Sequence, residues 1–248
     1  MSSSILATPA QAPPAPSRFD SALMHRLIAK SRIARSLSIG LLARLELLFL
    51  AGHKDGGVLN TIRQVRRGRE SLLSGNEAFT LYSVAHAQAG LEGAMAEVGV
   101  FQGCSARIIS LASDGRKLHL FDTFAGLPEP DMHENDRMRR GHYAASLGGV
   151  QAFLHDRPEL FFYEGMFPDT ASECEETQFS FVHLDVDLKS STRACLEFFY
   201  PRMVPGGVIL THDYSYLVGV REAFSEFLAA RRERVVELPS SQAMLIKL

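Results

Sequence analysis

The chain has no tryptophan, only three cysteines, no excess of either charge and no long uninterrupted apolar run. Each shortage excludes something. Cys104, Cys174 and Cys195 are odd in number and none falls in a C-x-x-C pair. Their spacing suits neither a zinc site nor a disulfide framework, which points to a reduced, cytoplasmic setting. Lys plus Arg number 26 and Asp plus Glu 28, so a net charge of −2 excludes a dedicated polyanion binder. The most apolar stretch, Leu37 to Gly52, is interrupted by Arg44 and Glu46. It is shorter than the ~20 apolar residues that a membrane-spanning helix needs. It is expected as a packed helix or an oligomer contact, with peripheral membrane contact as the other reading. Residues 1–18, rich in Ser, Ala and Pro, lack a basic segment followed by an apolar one. They read as a disordered leader rather than a secretory signal.

What is present is globular in composition: 46% hydrophobic and 22% charged residues over 248 positions. That excludes a disordered or collagen-like chain and suits one α/β domain with an extension. Sixteen Phe make the core Phe-, Leu- and Val-based. Residues 19–90 read as a helical extension, with Ala22, Leu23, Leu27 and Ile28 at helical spacing. Ser74-Gly75-Asn76-Glu77 has the form of a capping box. It opens a predicted helix that carries Leu81, Tyr82 and Ala85 and stops near Gly90.

Over residues 91–248 the texture changes. Apolar runs at Ala94–Val100, Lys117–Asp122, Leu160–Tyr163, Phe179–Val186, Gly207–Leu210, Val235–Leu238 and Ala243–Leu248 alternate with helical patterns. The helical patterns lie at Ser105–Ala112, Gly149–His155, Ser191–Phe199 and Gly219–Ala230. This predicts an α/β fold with a doubly wound, mostly parallel seven-stranded sheet. Only Pro239 to Gln242 separates the last two runs. That is too short for a parallel crossover, so they should close the sheet as an antiparallel hairpin.

Ligands of such sheets sit beyond the carboxyl ends of the strands. The first strand ends in Glu97-Val98-Gly99-Val100-Phe101-Gln102-Gly103-Cys104-Ser105, an E-x-G-x-x-x-G pattern. Gly99 permits a tight turn, and Gly103 lets backbone approach a ligand at a helix start. A pyrophosphate would not want Glu97 nearby, whereas a ligand with a cationic amine would. A purely structural glycine turn is the alternative. Cys104 and Ser105 fail as a nucleophile elbow, because Arg107 stands where glycine is needed. Asp122, at the end of the second strand, can accept hydrogen bonds from ribose hydroxyls or cap its own turn.

Taken together, EVGVFQGCSA, FDTFAGLPEP, YEGMFPDT, HLDVDLKSST, PGGVILTHDY and the following GVREAF resemble the class I S-adenosylmethionine-dependent methyltransferases. More closely, they resemble the macrocin O-methyltransferase family of sugar-modifying enzymes, over roughly residues 70–248. The resemblance implies a Rossmann-like domain that transfers methyl from S-adenosylmethionine to a hydroxyl of a sugar or glycosylated small molecule. It places Glu97, Gly99 and Gly103 on the methionine-binding loop, with Ser105 just beyond at the helix start. It places Asp122 on the ribose, Glu164 and Gly165 beside adenine, and Asp185, His212 and Asp213 on a divalent metal, magnesium first and manganese next. Asp185 counts also with the cofactor-binding and catalytic residues. The sequence departs from the family at His212, where members carry a second Asp.

A metal makes chemical sense, because a sugar hydroxyl is a poor nucleophile until it loses its proton. An imidazole ligand shifts preference from magnesium toward manganese, iron or zinc. Alternatively, His212 is the general base of a metal-free site. Asp185 is preferred to Asp187 as the ligand from this strand end. The charged stretch from Asp131 to Tyr143 reads as a lid over the acceptor. Its His142 and Tyr143 are candidates to contact the acceptor or take its proton. The basic run Arg63–Arg69 reads as a solvated helix face or a contact for a phosphorylated acceptor, not for nucleic acid. The apolar N-terminal helices make a homo-oligomer plausible. Two other functions stay open: a nicotinamide oxidoreductase, and a non-catalytic scaffold that binds the cofactor.

Overall fold

A computed structural model describes residues 32–129 and 138–248. The expected leader, the apolar face of Ala22, Leu23, Leu27 and Ile28, and the charged residues Asp131 to Arg137 lie outside the described residues. Among the described residues, three helices precede the sheet: α1 (Arg32–Leu50), α2 (Gly56–Val65) and α3 (Gly75–Gln88). The predicted capping box opens α3. Ser74 Oγ accepts from the Glu77 amide at 3.2 Å, and Glu77 Oε2 accepts from the Ser74 amide at 2.8 Å. Such a cap contributes about 1 kcal/mol.

The alternation that follows is β1 (Ala94–Val98), α4 (Cys104–Ala112), β2 (Leu118–Asp122), α5 (Leu147–Phe153), β3 (Leu160–Glu164), β4 (Phe179–Leu184), α6 (Lys189–Phe199), β5 (Met203–Thr211), α7 (Val218–Leu228), β6 (Val235–Glu237) and β7 (Ala243–Ile246). The seven strands form one sheet in the order β3-β2-β1-β4-β5-β7-β6. The pairs among β1 to β5 are parallel, and β7 runs antiparallel to both β5 and β6. The predicted closing hairpin is therefore present, with the Leu238 amide donating to Gln242 O across its turn at 3.0 Å. Strand order reverses between β1 and β4, which puts the switch point at the ends of these two strands.

Period-two alternation assigns the strand side chains to two cores. Met95, Leu118, Leu120, Phe181, Val208 and Leu210 pack toward α2, α3, α4 and α5. Ala96, Val98, Phe121, Val182, Leu184 and Ile209 pack toward α6 and α7. By the same parity Glu97, His183 and His212 point to the side of the N-terminal helices. Parity thus decides which helices a strand-end group meets. Helix α1 turns Ala43, Leu47 and Leu50 inward but leaves Leu41, Leu45, Leu48 and Phe49 exposed. Among the described residues, no helix is long and apolar enough to cross a membrane.

Candidate active site

The turn after β1 is set by two glycines with different reasons to be glycine. Gly99 has φ +89°, and a Cβ there would lie 2.0 Å from the carbonyl oxygen of Asp185. It lets the end of β1 meet the end of β4. Gly103 caps α4 at φ +83°, where a Cβ would meet Val150 Cγ1 of α5 at 3.0 Å. Helix packing is therefore one reason for glycine here, beside the ligand approach expected from the sequence. Asp122 organises the same turn. Its Oδ2 accepts from the amides of Val100 and Phe101 at 2.7 and 2.8 Å, and its Oδ1 from the amide of Phe124 at 2.7 Å. Burial raises its pKa, against the pull of these three amides. The turn-capping role of Asp122 is thus present, and the carboxylate still lines the cleft.

That cleft opens at the carboxyl ends of the strands and encloses about 1100 Å³, its solvent mouth included. Gly99, Ser105, Asp122, Gly165, Asp185, His212 and Asp213 line it, as does Tyr143 from the far end of the charged stretch. Four sequence candidates stand off its wall. Gly103 is one. Glu164 is exposed at the end of β3. His142 is exposed, with its ring 6.0 Å from that of Tyr143. Glu97 is wholly buried, and its Oε1 lies 2.8 Å from His183 Nδ1 on the neighbouring strand. Burial raises the Glu97 pKa, while hydrogen bonds from His183 and Ser105 oppose the rise. Among the described residues, Glu97 Oε2 has no hydrogen-bond partner.

Asp185, His212 and Asp213 come together. One ligating atom from each lies within 4.8 Å of the others. The register explains this: β4 and β5 pair as far as Leu184 and Thr211, and the three residues follow immediately. The His212 amide donates to Leu184 O at 2.8 Å and holds the two ends side by side. His212 Nδ1 lies 3.0 Å from Asp213 Oδ2 and 3.3 Å from Asp185 Oδ1. Burial opposes charge on this imidazole, but Asp213 and Asp185 hold its pKa well above the ordinary value. Asp185 is pushed up by burial and pulled down further by the His212 charge, for a net lowering. Asp187 also lines the cleft, yet burial and the charges of Asp213 and Asp185 drive its carboxyl well above the usual range. Among the described residues, the side chains whose ligating atoms converge are those of Asp185, His212 and Asp213, without Asp187.

Glu77 escaped the sequence reading. Its Oε2 lies 3.5 Å from His212 Nε2, and its Oε1 accepts from Ser241 Oγ at 2.6 Å. The capping box was the only signal at this position, and it accounted for the glutamate completely. The segment Glu70 to Leu73 also lines the cleft. The basic run before it is neither a solvated face nor a free cationic patch. Arg63 donates to Leu47 O at 3.1 Å, Arg69 to Gly149 O at 2.7 Å, and Arg66 to Leu73 O, while Arg67 is exposed. Cys104 is buried, and burial pushes its thiol up to about 11. It is no nucleophile at neutral pH.

The comparisons with known proteins bear on this arrangement. A curated relative, the 8-demethyl-8-(2,3-dimethoxy-alpha-L-rhamnosyl)-tetracenomycin-C 4'-O-methyltransferase of Streptomyces olivaceus, is 32% identical over 144 residues. The match covers 51% of this chain and 54% of that protein, so the chain spans about half the length of that relative. The solved O-methyltransferase NovP superposes with a TM-score of 0.62 at 20% identity, covering 71% of this chain and 81% of that one. The calicheamicin methyltransferase CalS11 superposes with a TM-score of 0.60 at 18% identity, covering 78% and 94%. These two share the fold. The model of the macrocin O-methyltransferase (TylF) family matches residues 80–239, which take in the glycine turn, the strand-end acids and strands β1 to β6. With well over half of its length matched, and with that fold and cleft, the chain belongs to the macrocin O-methyltransferase family.

Proposed function

We propose that the chain is an S-adenosylmethionine-dependent O-methyltransferase acting on a hydroxyl of a sugar or glycosylated small molecule, assisted by a divalent ion. One observation carries the reading: the Asp185–His212–Asp213 cluster opens into the same cleft as the Gly99 turn and Asp122. Donor-binding and acceptor-activating groups thus share one space. The S. olivaceus relative is a methyltransferase of a rhamnosyl compound, which supports a sugar acceptor.

The residues present fit a cation. His212 is buried, and among the described residues neither ring nitrogen makes a well-aligned hydrogen bond, although carboxylates approach both. Asp185, His212 and Asp213 would hold the ion, magnesium or manganese, through two oxygens and one nitrogen. When bound, the ion supplies Lewis acidity to the acceptor hydroxyl, and S-adenosylmethionine supplies the methyl group on a sulfonium.

The protein's own part is to bind, orient and take a proton. Asp122 accepts a hydrogen bond from the ribose with the Oδ1 lone pair that the three amides leave free. Ser105, at the start of α4, faces the methionine moiety. Glu97 stands behind that wall, 2.8 Å from His183, as the acid for the ammonium. Gly165 leaves room for adenine, and Glu164 stands at its rim. Asp185 takes the acceptor's proton, a role that His142 would share only by moving in from outside the cleft wall, and His212 is the base if no ion binds. Tyr143 contacts the acceptor at the mouth. The exposed face of α1 joins two copies of the chain, and the buried free thiols suit a reducing cytoplasm.

Methyl transfer from labelled S-adenosylmethionine to a panel of glycosides, with and without EDTA, tests the reading. Turnover that stops in EDTA and returns with Mg²⁺ or Mn²⁺ is expected, and Asp213→Ala should not be rescued. Undiminished turnover in excess EDTA would remove the ion from the account. Cofactor binding without transfer to any acceptor would favour the scaffold.

A further inference from the structure

We infer that Glu77, from the N-terminal helix α3, is a positioning residue for the metal centre: it accepts the Nε2 proton of His212, so that the imidazole presents Nδ1 to the ion. The inference rests on the reading above and deepens it. His212 lies between acids on both sides. Asp213 Oδ2 and Asp185 Oδ1 approach Nδ1 at 3.0 and 3.3 Å, and Glu77 Oε2 approaches Nε2 at 3.5 Å. A metal-bound imidazole is neutral and offers one N–H beside the lone pair that it gives to the ion. A lone pair aimed at a carboxylate is repulsive unless a cation lies between them. Two carboxylates flank Nδ1 on the cleft side, so that is where the cation belongs. The proton then sits on Nε2, and Glu77 is the acceptor in reach. Metal-binding histidines generally donate their second N–H to a carboxylate or carbonyl, which fixes the tautomer and ring orientation.

Glu77 is suited to this because it is held from other directions. Its Oε2 takes the Ser74 amide at 2.8 Å, and its Oε1 takes Ser241 Oγ at 2.6 Å and the Ser241 amide at 3.3 Å. It is only 6% exposed. A glutamate that merely capped α3 would stay at the surface and would need no tie to the hairpin loop. Strand parity turns His212 to the side of α3, where this carboxylate waits. The N-terminal helix, the β6–β7 loop and the end of β5 therefore meet at one side chain.

Titration calorimetry of Mn²⁺ into the full chain, with S-adenosylhomocysteine present, measures the effect. Glu77→Gln keeps a residue suited to the capping box and should weaken Mn²⁺ binding about 10–100-fold. Ser241→Ala removes a partner of Glu77 but leaves the carboxylate beside His212. It should lower the Tm while affinity changes far less. Long-range ¹H–¹⁵N spectra of the Mg²⁺-loaded wild type should show the His212 proton on Nε2, a readout that needs no variant to fold. Equal Mn²⁺ affinity in wild type and Glu77→Gln, equal losses in the two variants, or a proton on Nδ1 would each overturn the role of Glu77 and leave the metal reading standing. A wild type that binds no Mn²⁺ would overturn both.

Discussion

Gly99 shows how closely single residues are constrained around the cleft. A side chain there would collide with the Asp185 backbone at 2.0 Å, in a conformation that already disfavours side chains. Gly99→Ala should cost at least the ~1–3 kcal/mol of such backbone strain and push the ends of β1 and β4 apart. A lower denaturant midpoint, together with loss of the thermal shift given by S-adenosylhomocysteine, would show it. An unchanged shift would mean that the turn does not shape the donor pocket. His119 gives a pH dependence. Burial, helped by Lys117, lowers its pKa to about 4, and its Nδ1 lies 3.0 Å from Tyr163 Oη and 3.2 Å from Cys174 Sγ. The unfolded chain takes up the proton near pH 6.5, whereas the folded chain resists until about 4. Stability contributed here is therefore complete above 6.5 and is lost as pH falls toward 4, on the order of 3 kcal/mol. His119→Gln should flatten the fall of the denaturation midpoint across that window. An equal slope in both proteins would contradict the shift. The strand-end acids were legible because a polar residue closing an apolar run has few other places to be. Glu77 was not, because its local capping role left nothing unexplained. The Glu97–His183 contact was hidden as well, since it depends on the register between β1 and β4 rather than on either run alone.

Among the elements, helix and strand ends fell within a few residues of the sequence reading, because caps and breakers mark them locally. Strand β5 is the exception. Its apolar run suggested Gly207 to Leu210, yet the strand begins at Met203. Pro205-Gly206-Gly207 looks like a turn, but a register shift between Phe179 and Phe181 absorbs it within the ladder. The basic run before α3 was misjudged for a related reason. Charge is readable in a sequence, whereas the carbonyls that those guanidiniums find are supplied by distant segments. Among the described residues, helix α1 remains half-partnered: Leu45, Leu48 and Phe49 are 54%, 69% and 83% exposed. Apolar side chains aligned on one helix face mark an interaction surface. Sedimentation equilibrium of the wild type should give a dimer or higher species, and Leu48→Glu combined with Phe49→Glu should give a monomer with its donor binding intact. A monomeric wild type would remove the second copy from the account.

At the scale of the whole molecule, the fold class followed from the alternation of runs and from the four-residue gap between the last two strands. The participation of the N-terminal extension did not. Glu70 to Leu73 line the cleft and Glu77 stands behind His212, so the extension is part of the site rather than an appendage. Acceptor-side specificity should accordingly respond to changes in this segment more than donor binding does. The account depends most on the cleft at the β1–β4 switch point being a sulfonium-nucleoside site with Asp122 on its ribose. Calorimetric titration of S-adenosylhomocysteine into wild type and Asp122→Ala measures this directly. Saturable one-to-one binding by the wild type, weakened about tenfold or more in the variant, a difference of at least ~1.4 kcal/mol, is the predicted result. No binding by the wild type, tighter binding of NAD, or equal affinity in the two proteins would contradict it.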